Sequence, residues 1–191
     1  MSQSNSSPKR PFIVVVMGVS GCGKSTVAEL VAKELQASFK DGDELHPPIN
    51  IERMSQGIPL TDQDREPWLH LVKTYAIDST ADGEPCVIAC SALKKSYRDI
   101  LREAGDVWFV HLEGSKELIA NRMRSRTGHF MPEALLESQF AALELPTNES
   151  QVVSVSIDAT VDAVALSAAH TLKAHPVFAK RYTLEAETQN N

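Results

Sequence analysis

The chain has 191 residues, of which 42% are hydrophobic and 23% are charged. This is the composition of an ordinary globular protein, and it excludes wholesale disorder, a collagen-like fibre and a disulfide-rich miniprotein. The 19 basic and 25 acidic residues give a formal net charge of −6. We therefore expect neither nucleic acid nor an anionic membrane as a partner.

Hydropathy and cysteine usage predict a cytoplasmic location. No apolar run approaches the roughly 20 residues of a membrane span, and the polar stretch 1–10 lacks the apolar segment of a secretory signal. Cys22, Cys86 and Cys90 include no CxxC pair, and the last two flank a short apolar run. We expect buried thiols in a reducing compartment.

Strand and helix patterns alternate along the chain. The run 12–17 is continuous and β-branched, bounded by Pro11 and Gly18, and predicts a strand buried on both faces. Further strands are predicted at 38–41, 86–90, 107–112 and 152–157. Helices are predicted at 24–36, 62–81, 93–104, 115–126, 132–143 and 161–173, with a short one from Pro47 or Pro48. This order predicts an α/β fold, a three-layer, doubly wound parallel sheet of about five strands.

The same pattern indicates one domain over 11–175. The polar residues 1–10 predict a disordered tail, and 176–191 form a C-terminal extension in which Val177 and Phe178 could dock. Around 122–132 an arginine-rich helix end meets a glycine-containing loop and then a proline, which is typical of a lid.

Residues 18–25 match the pattern G-x-x-x-x-G-K-[ST] without a mismatch, between a buried strand and an amphipathic helix. The glycines let successive backbone N–H groups point at phosphate oxygens, and the helix start adds partial positive charge. Lys24 supplies a full charge to the β- and γ-phosphates, and the Ser25 hydroxyl is a Mg²⁺ ligand. The predicted ATP-binding residues are Gly18, Val19, Ser20, Gly21, Cys22, Gly23, Lys24, Ser25 and Thr26.

The nucleotide site points to a small-molecule kinase. The guanine-reading pattern N-K-x-D is absent, and the apolar run 86–90 leads into Ser91 rather than an aspartate. Both observations disfavour GTPase switches and motor ATPases.

Asp41 and Asp43 follow the second predicted strand, where ligands gather in a doubly wound sheet. One carboxylate could orient the metal, and the other could accept the proton of an attacking hydroxyl. An ordinary Asp-Gly turn is the alternative. The residues alone do not decide which aspartate does which.

Cationic residues elsewhere are candidate anion ligands, each with a structural alternative. Arg65 could clamp a carboxylate or pair with Asp62 or Asp64. Basic residues at the start of the predicted helix 93–104, Lys94, Lys95 and Arg98, oppose the helix dipole, so they indicate either an anionic ligand or a solvated face. Lid arginines, Arg122, Arg124 and Arg126, could neutralise transferring phosphate or serve the helix end. His129 could contact a ligand or pack within its loop.

Five segments carry a family resemblance. They are residues 18–25, DGDELHPPINIERM at 41–54, GIPLTDQDREPWL at 57–69, CSALKKSYRDILR at 90–102 and HFMPEALLESQFAALELP at 129–146. Together they resemble the gluconokinases, ATP-dependent gluconate kinases of the P-loop kinase superfamily related in fold to shikimate and nucleoside-monophosphate kinases. The resemblance runs from about residue 12 to 157.

The resemblance implies phosphorylation of D-gluconate at its 6-hydroxyl by ATP with Mg²⁺, giving 6-phospho-D-gluconate and ADP, often in a homodimer. It implies that Lys24 and Ser25 serve phosphate and metal, and that Asp43 is the base or orienting group. Asp41 is assigned to the metal with Ser25. Arg122 and Arg126 belong to the lid and are assigned to catalysis. The residues assigned to the sugar acid are Asp43, His46, Arg53, Arg65, Lys94, Arg98 and His129. Arg53 stands where the family pattern leads us to expect lysine, which keeps the charge but alters its geometry.

Two other hypotheses compete with this one. A kinase for another small acid, such as shikimate, would use the same loop and aspartates. A nucleotide-binding regulator would bind ATP without transferring phosphate.

Overall fold

The computed structural model describes residues 11–125 and 133–182. Five strands lie in these ranges: β1 (Ile13–Met17), β2 (Ser38–Asp41), β3 (Cys86–Ala89), β4 (Val107–Glu113) and β5 (Val152–Ser156). The helices described are α1 (Lys24–Leu35), α2 (Pro48–Ser55), α3 (Asp62–Ser79), α4 (Lys95–Arg102), α5 (Lys116–Ser125), α6 (Glu133–Ala142), α7 (Val161–Ala174) and α8 (Pro176–Tyr182).

The strands form one parallel sheet in the order β2-β3-β1-β4-β5. β1 lies at the centre and all five of its residues are buried, as a continuous β-branched run predicts. Chain order reverses at β1, so the loops after β1 and β3 face each other across a switch point at the carboxyl edge. The predicted doubly wound parallel sheet is confirmed.

Helices cover both faces of the sheet with separate apolar clusters. One cluster joins alternate residues of β1 and β4 to α1 and α7, and includes Val14, Val27 and Leu172. The other joins the opposite strand faces to α3 and α4, and includes Val15 and Trp68. This two-sided burial holds the strand ends rigidly at the carboxyl edge.

Helix α8 lies at the opposite edge. Phe178 is buried, and its ring makes edge contacts with Phe12, just before β1, and with Trp108 in β4. Tyr182 also meets the Phe12 ring, with centroids 4.8 Å apart. The start and end of the described chain therefore pack together, beneath the amino ends of the strands.

The helices and strands lie within one or two residues of most predicted bounds, and α4 is shorter at both ends. The predicted tail 1–10 and part of the predicted lid, 126–132, lie outside the described residues. No helix in the described ranges is both long and apolar enough to cross a membrane.

Candidate active site

The phosphate loop joins β1 to α1 at the switch point. Gly23, the residue before α1, has a φ of 96°, and Gly21 has a φ of 81°. A Cβ on Gly21 would lie 2.7 Å from the side chain of Met123 in α5. The Lys24 ammonium donates to the Val19 carbonyl at 3.0 Å, so it lies against the loop. Glycine is required here both for backbone conformation and for the close approach of α5.

Ser25 and Asp41 meet beside this loop. The Ser25 hydroxyl donates to Asp41 Oδ2 at 2.5 Å, and Asp41 Oδ1 accepts from the Asp43 N–H at 3.0 Å. Gly42 between the aspartates is buried, and a Cβ there would lie 2.5 Å from the Ala89 carbonyl oxygen. The turn after β2 therefore brings a carboxylate to the phosphate-loop hydroxyl.

This pair has the oxygen chemistry that Mg²⁺ prefers. Mg²⁺ takes one or two protein oxygens and keeps its other positions for water and phosphate, so a hydroxyl and a carboxylate suffice. Within residues 11–125 and 133–182, no cluster of three or more His, Cys, Asp or Glu side chains could hold a metal ion.

Asp43 lies in the 3₁₀ turn Gly42–Leu45, and its side chain is 67% exposed. Its pKa is raised, first because the surrounding protein limits its hydration; Lys24 and Arg65 oppose the rise, and Asp41 adds to it. Asp43 therefore lies close enough to both Lys24 and Arg65 for their charges to act on it. A carboxylate with a raised pKa accepts a proton more readily than an ordinary aspartate.

His46 is a buried, neutral imidazole. Its ring stacks on Trp68 at 4.0 Å, and burial, followed by the nearby charge of Arg65, lowers its pKa to about 4. The Asn50 amide lies 3.4 Å from Nδ1 and can only donate there, so the proton of the neutral ring is on Nε2. That nitrogen is 3.8 Å from Asp43 Oδ1.

Arg65 is half-buried, and its guanidinium forms no hydrogen bond or ion pair with any residue the structure describes. Its guanidinium carbon lies 5.9 Å from the centre of the Tyr97 ring. Both expected alternatives to ligand binding are taken, because Asp62 pairs with Lys94 and Asp64 pairs with Arg53. Neither aspartate therefore pairs with Arg65, and of the two roles predicted for its guanidinium, binding of an anionic ligand is the one left open.

Two other predicted ligands carry acidic partners. Arg53 Nη1 donates to both oxygens of Asp64, at 2.8 and 2.7 Å, and Asp64 also completes the capping box of α3 with Thr61. Lys94 donates to both oxygens of Asp62, at 2.7 and 2.9 Å. The Lys94 ammonium also lies 5.7 Å from the centre of the Tyr97 ring, the ring that Arg65 contacts.

Arg98 is not at the site, which corrects its assignment to the sugar acid. Its guanidinium is fully buried, and all five of its N–H donors are used. They donate to Glu149 and to the carbonyl oxygens of Ala92, Leu93 and Glu144. Lys95 pairs with Asp99, so the basic start of α4 is explained by ion pairs within the protein.

Arg122 lies on α5 at the carboxyl edge of the sheet. Its guanidinium donates to the carbonyl oxygens of Ile157 and Ala159, in the loop after β5. Arg126 and His129 lie outside the described residues. The role of these three side chains stays a prediction.

Sequence reasoning missed three side chains. Gln139 of α6 accepts from the Ser20 N–H at 2.7 Å, which ties α6 to the phosphate loop. Trp68 donates to the Gly42 carbonyl, and Asn50 donates to that of Asp64. The available signal for Gln139 was a carboxamide spaced three and four residues from Leu136 and Leu135, on the apolar side of its helix.

A cavity of about 640 Å³ lies beside the phosphate loop, between the ends of β4 and β5 and helices α5 and α6. Val19 and Phe140 line it together with His111, Glu113 and Asp158. Asp43 and Arg65 do not border this cavity, so it is separate from the acceptor side of the site.

Comparisons with known proteins agree with this geometry. The shikimate kinase family profile matches residues 20–172. The gluconokinase of Gluconobacter oxydans is 48% identical over 158 residues, covering 81% of this chain and 88% of that protein. The thermosensitive gluconokinase of Escherichia coli is 50% identical over 146 residues, covering 75% and 78%.

A crystal structure of a gluconokinase from Sinorhizobium meliloti superimposes with a TM-score of 0.77 at 47% identity, covering 86% of this chain and 94% of that one. The similarity thus covers most of this chain, including the phosphate loop, the aspartate turn and the strands of the sheet. The chain belongs to the gluconokinase family, within the shikimate kinase-like P-loop kinases.

Proposed function

We propose that this protein transfers the terminal phosphate of ATP to the 6-hydroxyl of D-gluconate, giving 6-phospho-D-gluconate and ADP. The gluconokinase relatives support the reaction. The observation that carries it in this chain is the half-buried Arg65, which has no ion-pair partner in the described ranges and whose charge acts on Asp43, as does that of the phosphate-loop lysine.

The nucleotide occupies the phosphate loop. Backbone N–H groups and the start of α1 hold the phosphates, and Lys24 moves from the Val19 carbonyl to the β- and γ-phosphates. Ser25 and Asp41 hold Mg²⁺, which would reduce the negative charge of the phosphate oxygens.

Gluconate requires a cation for its carboxylate and a proton acceptor near its primary alcohol. Arg65 binds the carboxylate in bidentate fashion, because a guanidinium matches two carboxylate oxygens. Asp43 orients the 6-hydroxyl and accepts its proton as the oxygen attacks phosphorus. His46 donates from Nε2 toward Asp43 or a sugar hydroxyl. Its ring stays neutral because burial and the charge of Arg65 lower its pKa.

The remaining predicted ligands have supporting roles. Lys94 and Arg53 add positive potential while their carboxylate partners fix them in place. Arg122 and Arg126 neutralise charge on the transferring phosphate, and His129 contacts the sugar acid. Residues around 122–132 act as a lid that excludes water from the reaction.

The test measures ADP release from Mg-ATP with D-gluconate, with shikimate and with no acceptor. We expect release with gluconate only. In Arg65→Met the KM for gluconate should rise about tenfold to a hundredfold, because a charge-assisted bidentate contact is lost. In Asp43→Asn, kcat should fall about a hundredfold or more while the KM for ATP changes little.

Lys73→Met is the matched control for Arg65→Met. Lys73 is a basic residue of α3, as Arg65 is, and its partner is the surface residue Glu103. Its kinetics should equal those of the wild type. An unchanged KM for gluconate in Arg65→Met would remove Arg65 from the acceptor site. Turnover of shikimate and not gluconate would replace the proposed acceptor.

Location and assembly complete the proposal. We propose a cytoplasmic enzyme, supported by three free thiols that are all buried. We also propose a homodimer, as expected from the family resemblance.

A further inference from the structure

Helix α6 contacts the phosphate loop through one side chain. Gln139 Oε1 accepts from the backbone N–H of Ser20 at 2.7 Å, across 119 residues of sequence. Ser20 is the third residue of the loop. Backbone N–H groups of such a loop are the phosphate ligands, so Gln139 is seated at the edge of the nucleotide site.

The same peptide group is contacted on its other side. The Val19 carbonyl and the Ser20 N–H belong to one peptide unit, and the Lys24 ammonium donates to that carbonyl at 3.0 Å. Lys24 is the residue that reaches the β- and γ-phosphates. Gln139 and Lys24 thus bracket one peptide of the loop, which puts Gln139 at the end of the site where the terminal phosphate lies.

The Gln139 carboxamide has an unused donor there. Oε1 is occupied by Ser20, which fixes the rotation of the group, and Nε2 has no hydrogen-bond partner in the described parts of the chain. The side chain is half-buried, so this amide is open to a ligand that enters the site. A phosphate oxygen is the acceptor that bound ATP would bring to this position.

We propose that Gln139 binds the terminal phosphate of ATP, donating from Nε2 to a γ-phosphate oxygen while Oε1 stays on the Ser20 N–H. ADP has no such oxygen, so Gln139 distinguishes substrate from product nucleotide. The inference rests on the proposed use of ATP and is independent of the acceptor.

Calorimetric titration of the full chain with Mg²⁺ and either ADP or an imido-bridged ATP analogue, without acceptor, tests this. Gln139→Glu has the same shape and still accepts from Ser20, but it replaces the donor by an anion. We expect affinity for the analogue to fall about tenfold to a hundredfold, and affinity for ADP to fall less than about threefold.

Gln139→Met removes the donor without adding charge and should lower the affinity for the analogue about tenfold. It replaces Gln139→Glu in the test if that variant does not fold. Ser138→Ala is the control, since the Ser138 hydroxyl donates only to the Leu135 carbonyl within α6. Equal losses for both nucleotides, or none, would overturn the proposal. Wild-type selectivity for the analogue without gluconate turnover would instead overturn the proposed function alone.

Discussion

His46 shows how a single side chain in the site is kept neutral. The imidazole is enclosed by Trp68 and Asn50 and faces the charge of Arg65, so protonation would bury a second cation beside the first. In the proposed reaction, a neutral ring donates a hydrogen bond from Nε2 and does not compete with Arg65 for the gluconate carboxylate.

The lowered pKa of His46 makes stability depend on pH. The unfolded chain binds a proton at this residue below pH about 6.5, whereas the folded protein does not until pH about 4. The free energy of unfolding therefore falls as pH drops through this window. Between pH 7 and 5 we expect His46 to lower the free energy of unfolding by about 2 kcal/mol. Urea unfolding at each pH would measure this change.

His46→Gln should flatten that dependence between pH 7 and 5. Part of the slope should remain, because burial also lowers the pKa of His111. Equal slopes in the two proteins would contradict a neutral, buried His46.

The positions of site residues could be predicted from the sequence where a short pattern encodes its own geometry. Lys24 and Ser25 are placed by the loop that contains them, and Asp41 by the end of β2. Arg98 looked the same in the sequence as a ligand would, because its partner Glu149 is 51 residues away. Long-range pairing decides which cation stays free, and the local pattern carries no signal for it.

At the scale of elements, helix α4 is tied to the segment that follows α6. Glu144 accepts from the Lys95 N–H and gives its carbonyl oxygen to Arg98, while Glu149 accepts from both Arg98 and Arg102. The arginines hold the pKa of Glu149 at about 2, Arg98 contributing most. This network fixes the loop between β3 and α4, where Lys94 stands.

Arg98→Met should lower the free energy of unfolding by about 3–5 kcal/mol, because it removes one partner of a buried ion pair and leaves three carbonyl oxygens without their donor. Urea unfolding measures this loss. Lys95→Met, on the same helix with the exposed partner Asp99, should lose less than about 1 kcal/mol. Similar losses in the two variants would contradict the structural role of Arg98.

Strands and long helices could be predicted from the sequence because buried runs and helical spacing are local signals. Helix α8 could not, since Pro176–Tyr182 is short and its stability comes from rings elsewhere in the chain. Only the folded sheet brings Phe12 and Trp108 next to Phe178.

At the scale of the whole molecule, the candidate active site and the aromatic packing of α8 lie at opposite edges of the sheet. The phosphate loop, the aspartate turn and Arg65 gather at the carboxyl edge, whereas α8 seals the amino edge with aromatic rings. The doubly wound order could be predicted from the alternation of elements. The packing of α8 against Phe12 and Trp108 depends on tertiary contacts and could not be predicted from that alternation.

Phe178→Ala should destabilise the fold by about 3–5 kcal/mol while leaving the KM values for ATP and gluconate unchanged, because the cavity opens far from the site. Urea unfolding and the ADP-release assay measure the two effects. Val177→Ala, at a neighbouring exposed position, should lose less than about 1 kcal/mol. A large change in KM in Phe178→Ala would contradict the separation of the two edges.

The contact between Phe12 and Tyr182 also makes the protein suited to covalent circularisation. Their ring centroids are 4.8 Å apart, so a peptide that links positions 11 and 182 in place of residues 1–10 and 183–191 would close the backbone into a ring. Such a bridge removes loop entropy from the unfolded chain, which raises stability without a new contact in the native state. Because the junction is at the edge opposite the phosphate loop, the ring would leave the catalytic cleft open to solvent.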